Sequence, residues 1–197
     1  MTLAAGLANP VDDSQRAFRC LLDALARPGR AQHLDFKATS PGLSPAVGLA
    51  LLTLCDETTP VWWQPGTACG ALSEWLRFHT GAPACADPQR AAFAAIDRPD
   101  AMPALSCFAP GSLQAPEQST TILLAASKID AGPAVEWSGP GIETTLRVAI
   151  DGLVDDFWTQ WNSNHASFPQ GVDVLFCCDD RVIGMPRTTR VRRLQRA

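Results

Sequence analysis

Apolar residues recur at helical spacing in three stretches of the first half of the chain. One helix is predicted from Asp12 to Arg27, because one of its faces is apolar and Pro28-Gly29 follows. Ala46 to Cys55 is apolar on every side, which favours a buried helix over the alternative of a buried strand. A third helix is predicted from Cys69 to His79, with Gly81 just beyond its end. The apolar face of the first helix is Phe18, Leu21, Leu22 and Leu25, and that of the third is Leu72, Trp75, Leu76 and His79.

Short runs of β-branched and aromatic residues predict strands, most of them in the second half of the chain. Lys128 to Pro133, which contains Asp130 and Gly132, is predicted to be a turn between two strands. A fourth helix is predicted from Leu153 to Trp161, and a β-hairpin across Asp179-Asp180-Arg181. The predicted strands are Gln32 to Phe36, Pro60 to Gln64, Ala91 to Ile96, Thr120 to Ser127, Ala134 to Trp137, Thr145 to Ile150, Val172 to Cys178 and Val182 to Met185.

This mixture of helices and strands predicts an α/β fold in which a mixed sheet is packed with helices. The connection from Asp97 to Gly111 is poorly periodic, and we expect one short helix around Leu105. The chain shows no internal repeat, no heptad array and no flexible linker. We therefore expect a single domain over residues 1–197.

Charge is unevenly distributed along the 197 residues. Apolar residues make up 46% and charged residues 18%, so a folded globular protein is expected. The formal net charge is −4, yet residues 181–197 hold six arginines and no acidic residue. That terminus is either a phosphate-binding segment or a solvated basic tail. Nucleic-acid binding is not expected, because no aromatic residue interleaves with the arginines.

The seven cysteines lack the C-x-x-C spacing of a zinc site, and their odd number argues against a disulfide framework. The neighbours Cys177 and Cys178 lie in a predicted strand, so their side chains should point to opposite faces. No apolar run is long enough to cross a membrane and no signal peptide is recognisable. A cytoplasmic protein without a metal site is expected.

Motifs of nucleotide, dinucleotide, zinc-protease and serine-hydrolase sites do not occur in the sequence. His33 is expected at a sheet edge, and His165 in a solvent-facing loop. Lys128 follows a buried strand, where a Schiff-base lysine of a pyridoxal-phosphate enzyme could lie, but an ordinary polar turn is the favoured interpretation. Asp56-Glu57 after the apolar helix could serve as a general base or be merely solvated.

Two groups of residues could bind an anion. Arg77 and His79 lie at the end of the third predicted helix, where the alternative is a C-terminal helix cap. Arg187, Thr188 and Thr189 combine a guanidinium with two hydroxyls, a set of donors suited to phosphate.

Several strings, in order, resemble the PhnH family, the H subunits of the bacterial carbon-phosphorus lyase core complex. They extend from near residue 10 to near residue 191, so the resemblance covers nearly the whole chain. The matching strings are Phe18-Arg19-x-Leu-Leu with Pro28-Gly29, Leu51 to Asp56, Thr59 to Trp62, Leu76-Arg-Phe-His-Thr80 with Ala82-Pro83, Gly111 to Glu117, Ser138 to Ile142, Phe168 to Asp173, and Pro186 to Thr189.

This resemblance implies a role in the breakdown of organic phosphonates. Family members act with the G, I and L subunits in forming alpha-D-ribose 1-methylphosphonate 5-triphosphate from ATP and methylphosphonate, and the J subunit later cleaves the C–P bond. The implied fold resembles the large domain of type I pyridoxal-phosphate transferases without a working cofactor site, and isolated members form homodimers. No cofactor is expected in this chain.

The resemblance also bears on the candidate residues. Arg77, His79, Arg187, Thr188 and Thr189 lie inside family-like strings and are therefore the predicted phosphonate or nucleotide contacts. Pro186 to Thr189 is expected to be ordered, and residues 192–197 are expected to form a flexible basic tail. The alternatives are a purely structural subunit, which exposed Trp62, Trp63 or Trp75 would favour, and an independent pyridoxal-phosphate transferase.

Overall fold

The computed structural model describes residues 4–35, 40–66 and 69–194. Its four α-helices are α1 (Pro10–Ala26), α2 (Pro45–Leu54), α3 (Cys69–Thr80) and α4 (Phe157–Ala166). The first three agree with the periodicity to within two residues, and α2 is a helix rather than a strand. Gly81 ends α3 with a φ of 80° and donates its N–H to the Arg77 carbonyl over 2.9 Å, as the sequence predicts. Short 3₁₀ turns occur at Pro88–Arg90, Pro99–Ala101, Leu105–Cys107 and Pro116–Gln118.

The strands of the described residues form two sheets. The order of the seven-stranded sheet is β1-β9-β8-β5-β4-β2-β3, and its five neighbouring strands β8, β5, β4, β2 and β3 are paired parallel. The second sheet is antiparallel, in the order β10-β6-β7. The strands are β1 (Gln32–His33), β2 (Val61–Trp63), β3 (Ala84–Cys85), β4 (Phe93–Ile96), β5 (Thr121–Ala125), β6 (Lys128–Ser138), β7 (Leu146–Asp151), β8 (Asp173–Cys178), β9 (Arg181–Met185) and β10 (Arg190–Arg193).

The large sheet is buried on both faces, which explains the continuous apolar runs of its central strands. On one face α1, α2 and α3 cover Val61, Leu123 and Leu175. On the other face the small sheet and α4 enclose Ile122, Leu124 and Phe176. Cys177 belongs to the first core, whereas Cys178 packs against the second, so the predicted opposite orientation of the two thiols is confirmed.

One close contact fixes the position of α1 on the large sheet. A Cβ placed on Gly184 of β9 would lie 2.4 Å from the Ala24 carbonyl oxygen of α1. Only a residue without a side chain allows this approach of helix to strand.

The predicted turn from Lys128 to Pro133 is wrong, because these residues form the first half of β6. The pairing with β7 shifts between Ile129 and Ala134, and the extra residues form a bulge in which Asp130 and Gly132 have positive φ angles. Asp130 and Gly132 do have the backbone angles of turn residues, but they form a bulge inside a strand.

The fourth helix also differs from the prediction. Leu153 and Val154 lie in the irregular segment before the helix, and the helix continues to Ala166 although its last residues are polar. Hydrogen bonds of Asn164 to Val172 and of His165 to Arg187 stabilise this last turn, so the helix continues without the apolar face from which it could be predicted.

The chain end forms more regular structure than expected. Arg192 and Arg193, placed by the sequence in a flexible tail, are the last two residues of β10, which pairs with β6. Backbone hydrogen bonds to β6 order these two residues, and the sequence around them has no apolar pattern that predicts a strand. Residues 195–197 of the expected tail, and Phe36 of the first predicted strand, lie outside the described residues. Among the helices that are described, none has the length and apolar character that a membrane crossing needs.

Candidate functional site

Arg187 is the most highly connected of the predicted site residues. A guanidinium has five N–H donors, and all five are used here. Nε donates to Asp173 Oδ1 over 3.1 Å and Nη2 to Asp173 Oδ2 over 2.5 Å, and Nη2 also reaches Ser119 Oγ. Nη1 donates to the carbonyls of Pro116 at 2.8 Å and Pro169 at 3.3 Å. The guanidinium therefore has no donor left for a phosphate oxygen unless one of these bonds breaks.

The Arg187 network joins strings that are far apart in the sequence. Pro116 belongs to the string Gly111 to Glu117, and Pro169 and Asp173 to the string Phe168 to Asp173. A Cβ on Gly139, from a third string, would lie 2.9 Å from the Thr188 carbonyl oxygen. The family-like strings of the second half thus converge on one place.

The residues beside Arg187 also face inwards. Thr189 is 1% exposed, its carbonyl accepts a 2.9 Å bond from Trp161 Nε1, and its hydroxyl has no partner among the described residues. His165 lies in α4, not in a solvent-facing loop as expected, and its Nδ1 is 2.8 Å from the Arg187 carbonyl oxygen. Asp173, Ser119, Trp161 and His165 were all missed by the sequence analysis, although Asp173 ends a quoted string.

Arg77 has a contrasting environment. It is exposed on α3, and its guanidinium has no partner among the described residues. It borders an open groove of about 810 Å³ between the end of α3 and the edge strand β3. The other residues lining this groove are Ser73, Glu74, Phe78, Gly81, Pro83 and Ala84.

His79 does not share the groove of Arg77. Residues two apart on a helix project about 200° from one another. His79 Nε2 lies 2.9 Å from the Ala4 carbonyl oxygen, and a Cβ on Gly6 would lie 2.9 Å from the imidazole ring. The imidazole thus holds the N-terminal segment against α3, and the structure brings neither His79 nor Arg77 to the Arg187 network.

The turn after α2 is organised by Asp56. Its Oδ1 accepts from the N–H and the hydroxyl of Thr58, and these bonds, with the hydroxyl bond first, lower the pKa of the Asp56 carboxyl from its usual value. A Cβ on Gly81 would lie 3.3 Å from Glu57 Cβ, so this turn borders the Arg77 groove. The carboxylate is engaged in local structure rather than in a catalytic pair.

The remaining predicted features are distributed over the molecule. Lys128 is exposed at the start of β6, and His33 is exposed on the edge strand β1, as predicted. Trp62, Trp63 and Trp75 are all buried, at 6% exposure or less. They therefore do not anchor a partner, and the phenylalanines that are exposed within residues 4–35, 40–66 and 69–194 are Phe18, Phe78 and Phe168. Burial raises the pKa of the Cys55 and Cys177 thiols to about 12, which makes them poor nucleophiles.

Comparison with known families decides how the chain is classified. A family model described as "Bacterial phosphonate metabolism protein (PhnH)" matches residues 5–192. The chain belongs to the PhnH family. Among curated PhnH relatives, the alpha-D-ribose 1-methylphosphonate 5-triphosphate synthase subunit PhnH of Rhizobium meliloti (strain 1021) is 36% identical over 191 residues, 96% of each chain. The putative C-P lyase subunit protein HtxG of Stutzerimonas stutzeri is 31% identical over 177 residues, 90% of this chain and 85% of that protein.

Proposed function

We propose that this PhnH-family chain is a subunit of the bacterial carbon-phosphorus lyase core complex in organic phosphonate catabolism. It acts with the G, I and L subunits to form alpha-D-ribose 1-methylphosphonate 5-triphosphate from ATP and methylphosphonate. The observation that carries this proposal is the full-length relationship to a curated synthase subunit, at 36% identity over 96% of both chains.

Within that complex the chain supports or completes the synthase, and it has no complete active site of its own. The saturated hydrogen bonding of Arg187 supports this role, because a residue that binds substrate needs donors free to exchange. The fold is that of the large domain of type I pyridoxal-phosphate transferases without a functional cofactor site. The exposed position of Lys128 supports the lack of a Schiff base.

The partners we propose are the G, I and J subunits, together with L, in the cytoplasm. The isolated single-domain chain forms a homodimer. Its substrate contacts come from the five predicted residues, of which Arg77 is the one whose guanidinium is free to bind a phosphonate or triphosphate oxygen. Of the other four, His79 and Arg187 bind a ligand only if their present hydrogen bonds break, and the buried Thr189 only if it becomes exposed, whereas Thr188 is already half-buried.

A second function, a purely structural subunit without substrate contact, is favoured by the internal hydrogen bonds of Arg187 and His79. If Arg187 and His79 are both committed to internal bonds, then only Arg77 can distinguish the two functions. Replacing Arg77 by Ala weakens methylphosphonate or ATP binding to the assembled complex in the first case. It leaves binding unchanged in the second.

The test is an assay of adenine release from ATP and methylphosphonate by the co-purified G, I and L subunits, with and without this chain. We expect turnover to require the chain and to be restored by adding it back. Turnover that is unchanged without the chain overturns the synthase role. Growth of a deletion strain on methylphosphonate as sole phosphorus source, with and without complementation, checks the pathway.

A further inference from the structure

The small antiparallel sheet has one face in the core and one face towards solvent. Val135, Trp137, Val148 and Ile150 point inwards and are at most 5% exposed. The register places Arg192 opposite Glu136 and Glu136 opposite Arg147, so these three side chains form one row across the other face. Arg190 lies opposite Ser138, on the same face. We call this solvent side the outer sheet face: Ala134, Glu136, Ser138, Arg147, Ala149, Arg190 and Arg192.

Three arginines dominate the charge of the outer sheet face. Glu136 Oε1 accepts from Nε and Nη2 of Arg192, at 3.1 and 2.8 Å, so these two side chains form an ion pair between neighbouring strands. Arg147 and Arg190 are exposed, and their guanidinium groups have no partner among the described residues. Lys128 and Asp151, paired with each other at the start of β6, lie on the same side of the sheet. Two carboxylates, Glu136 and Asp151, therefore face four cations, on a chain whose formal net charge is −4.

The shape of the outer sheet face suits a broad partner. Ala134, Ser138 and Ala149 are small and half-buried, so another backbone or surface can come close between the arginines. Arg193, the neighbour of Arg192, points to the other side, where its Nη2 donates to Thr159 Oγ1 over 3.0 Å and to the Asp155 carbonyl oxygen. Alternate residues of β10 therefore have different roles. Arg193 donates to groups within the chain, whereas Arg190 and Arg192 lie on the outer sheet face.

We propose that the outer sheet face docks an acidic surface of a different protein subunit. This proposal rests on the proposed function, because it takes the chain to be one subunit of a larger complex. Charge complementarity carries it: a basic face on an otherwise acidic molecule orients a negative partner and repels like-charged surfaces. Guanidinium forks also bind carboxylates with two parallel hydrogen bonds, which fixes the register of the partner.

A protein fits this face better than a nucleic acid or a small anion. The outer sheet face has no aromatic side chain on which a base could stack, and nucleic-acid binding uses longer stretches of cationic residues. Arg147 is exposed and borders an open groove that Asp151 and Asp155 also line, so a single phosphate there would remain solvated and would face two carboxylates. An acidic protein surface can instead contact the whole row at once.

The experiment measures binding of the purified chain to a purified assembly of the G, I and J subunits by biolayer interferometry. Salt is varied from about 0.05 to about 0.5 M NaCl, over which the Debye length shortens severalfold. The test variant is Arg147→Glu with Arg190→Glu, and Arg147→Gln with Arg190→Gln is its uncharged form. The control is Arg90→Glu, an exposed arginine in the 3₁₀ turn Pro88–Arg90, which is not part of this sheet.

We expect the charge-reversed variant to bind at least about tenfold more weakly than the wild type and the glutamine variant to fall between them. The Arg90→Glu control should bind as the wild type does. Affinity of the wild type should fall as salt rises, whereas that of the charge-reversed variant should change little. Circular dichroism and melting temperature of each variant show that the sheet is intact, and the glutamine variant keeps the test valid if charge reversal unfolds the chain.

Other results would overturn the proposal. Equal affinity of wild type and both double variants rejects this face while leaving the proposed function standing. Absence of wild-type binding rejects the proposed function and this proposal together. Variants that bind the assembly normally but change from dimer to monomer in light scattering assign the face to a second copy of this chain. Variants that bind normally but aggregate show that the arginines only protect exposed edge strands.

Discussion

The two arginines that the sequence ranks together have opposite environments. Arg187 gives all five donors to a carboxylate, a hydroxyl and two carbonyls and is 12% exposed as a side chain. Arg77 extends from α3 into an open groove, and its guanidinium has no partner among the described residues. Both lie in family-like strings and both have donors that match phosphate. An arginine in a family-like string can therefore serve either folding or ligand binding, and the string alone does not distinguish the two roles.

The largest difference between the two arginines should be in stability. Arg187→Met keeps the length of the side chain but leaves the half-buried Asp173 carboxylate without its cation. Removing one partner of such a pair costs about 3 kcal/mol or more, and the Pro116 and Pro169 carbonyls lose bonds as well. We expect the free energy of unfolding in urea to fall by about 3 kcal/mol. A loss below about 1 kcal/mol would mean that the network contributes little to folding.

The second prediction compares two buried tryptophans, Trp161 beside the Arg187 network and Trp75 on the same helix as Arg77. Trp161 and Trp75 are both 0% exposed, but Trp161 Nε1 donates to the Thr189 carbonyl, whereas Trp75 Nε1 has no partner among the described residues. Replacement by Phe removes similar volume at both sites. We therefore expect Trp161→Phe to destabilise the fold by about 1 kcal/mol more than Trp75→Phe. Equal losses in urea unfolding would show that the hydrogen bond adds nothing to packing.

How far the sequence predicts these regions depends on the distance between the interacting residues. The helix that holds Arg77 follows from apolar spacing within twelve residues, and its bounds agree with the prediction to within one residue, with Gly81 at its end. The partners of Arg187 are 14 to 71 residues away, and no local pattern links Ser119 or Pro116 to Arg187. The same limit explains the errors at β6, α4 and β10. Each of these segments owes its structure to long-range hydrogen bonds, not to apolar periodicity.

A smaller effect is expected for the open arginine. Arg77→Met removes an exposed guanidinium with no described partner, so the free energy of unfolding should change by less than about 0.5 kcal/mol. Urea unfolding of Arg77→Met beside Arg187→Met makes the comparison direct, since both substitutions remove the same group. If Arg77→Met lowered the free energy of unfolding as much as Arg187→Met does, Arg77 would also be a residue that stabilises the fold.

The smallest expected effect concerns the turn that borders the Arg77 groove. The pKa of Asp56 is lowered mainly by the Thr58 hydroxyl and then by the Thr58 N–H, so the folded state favours the ionised carboxylate. The resulting stabilisation is complete above the unfolded-state pKa of about 4 and is lost as the pH falls through the lower folded-state pKa. Asp56→Asn keeps an acceptor for Thr58 but cannot ionise. We therefore expect its melting temperature to lie slightly below that of the wild type at neutral pH and to converge with it under acidic conditions. A gap that stays constant down to strongly acidic pH would mean that the shape of the side chain, and not its charge, organises the turn.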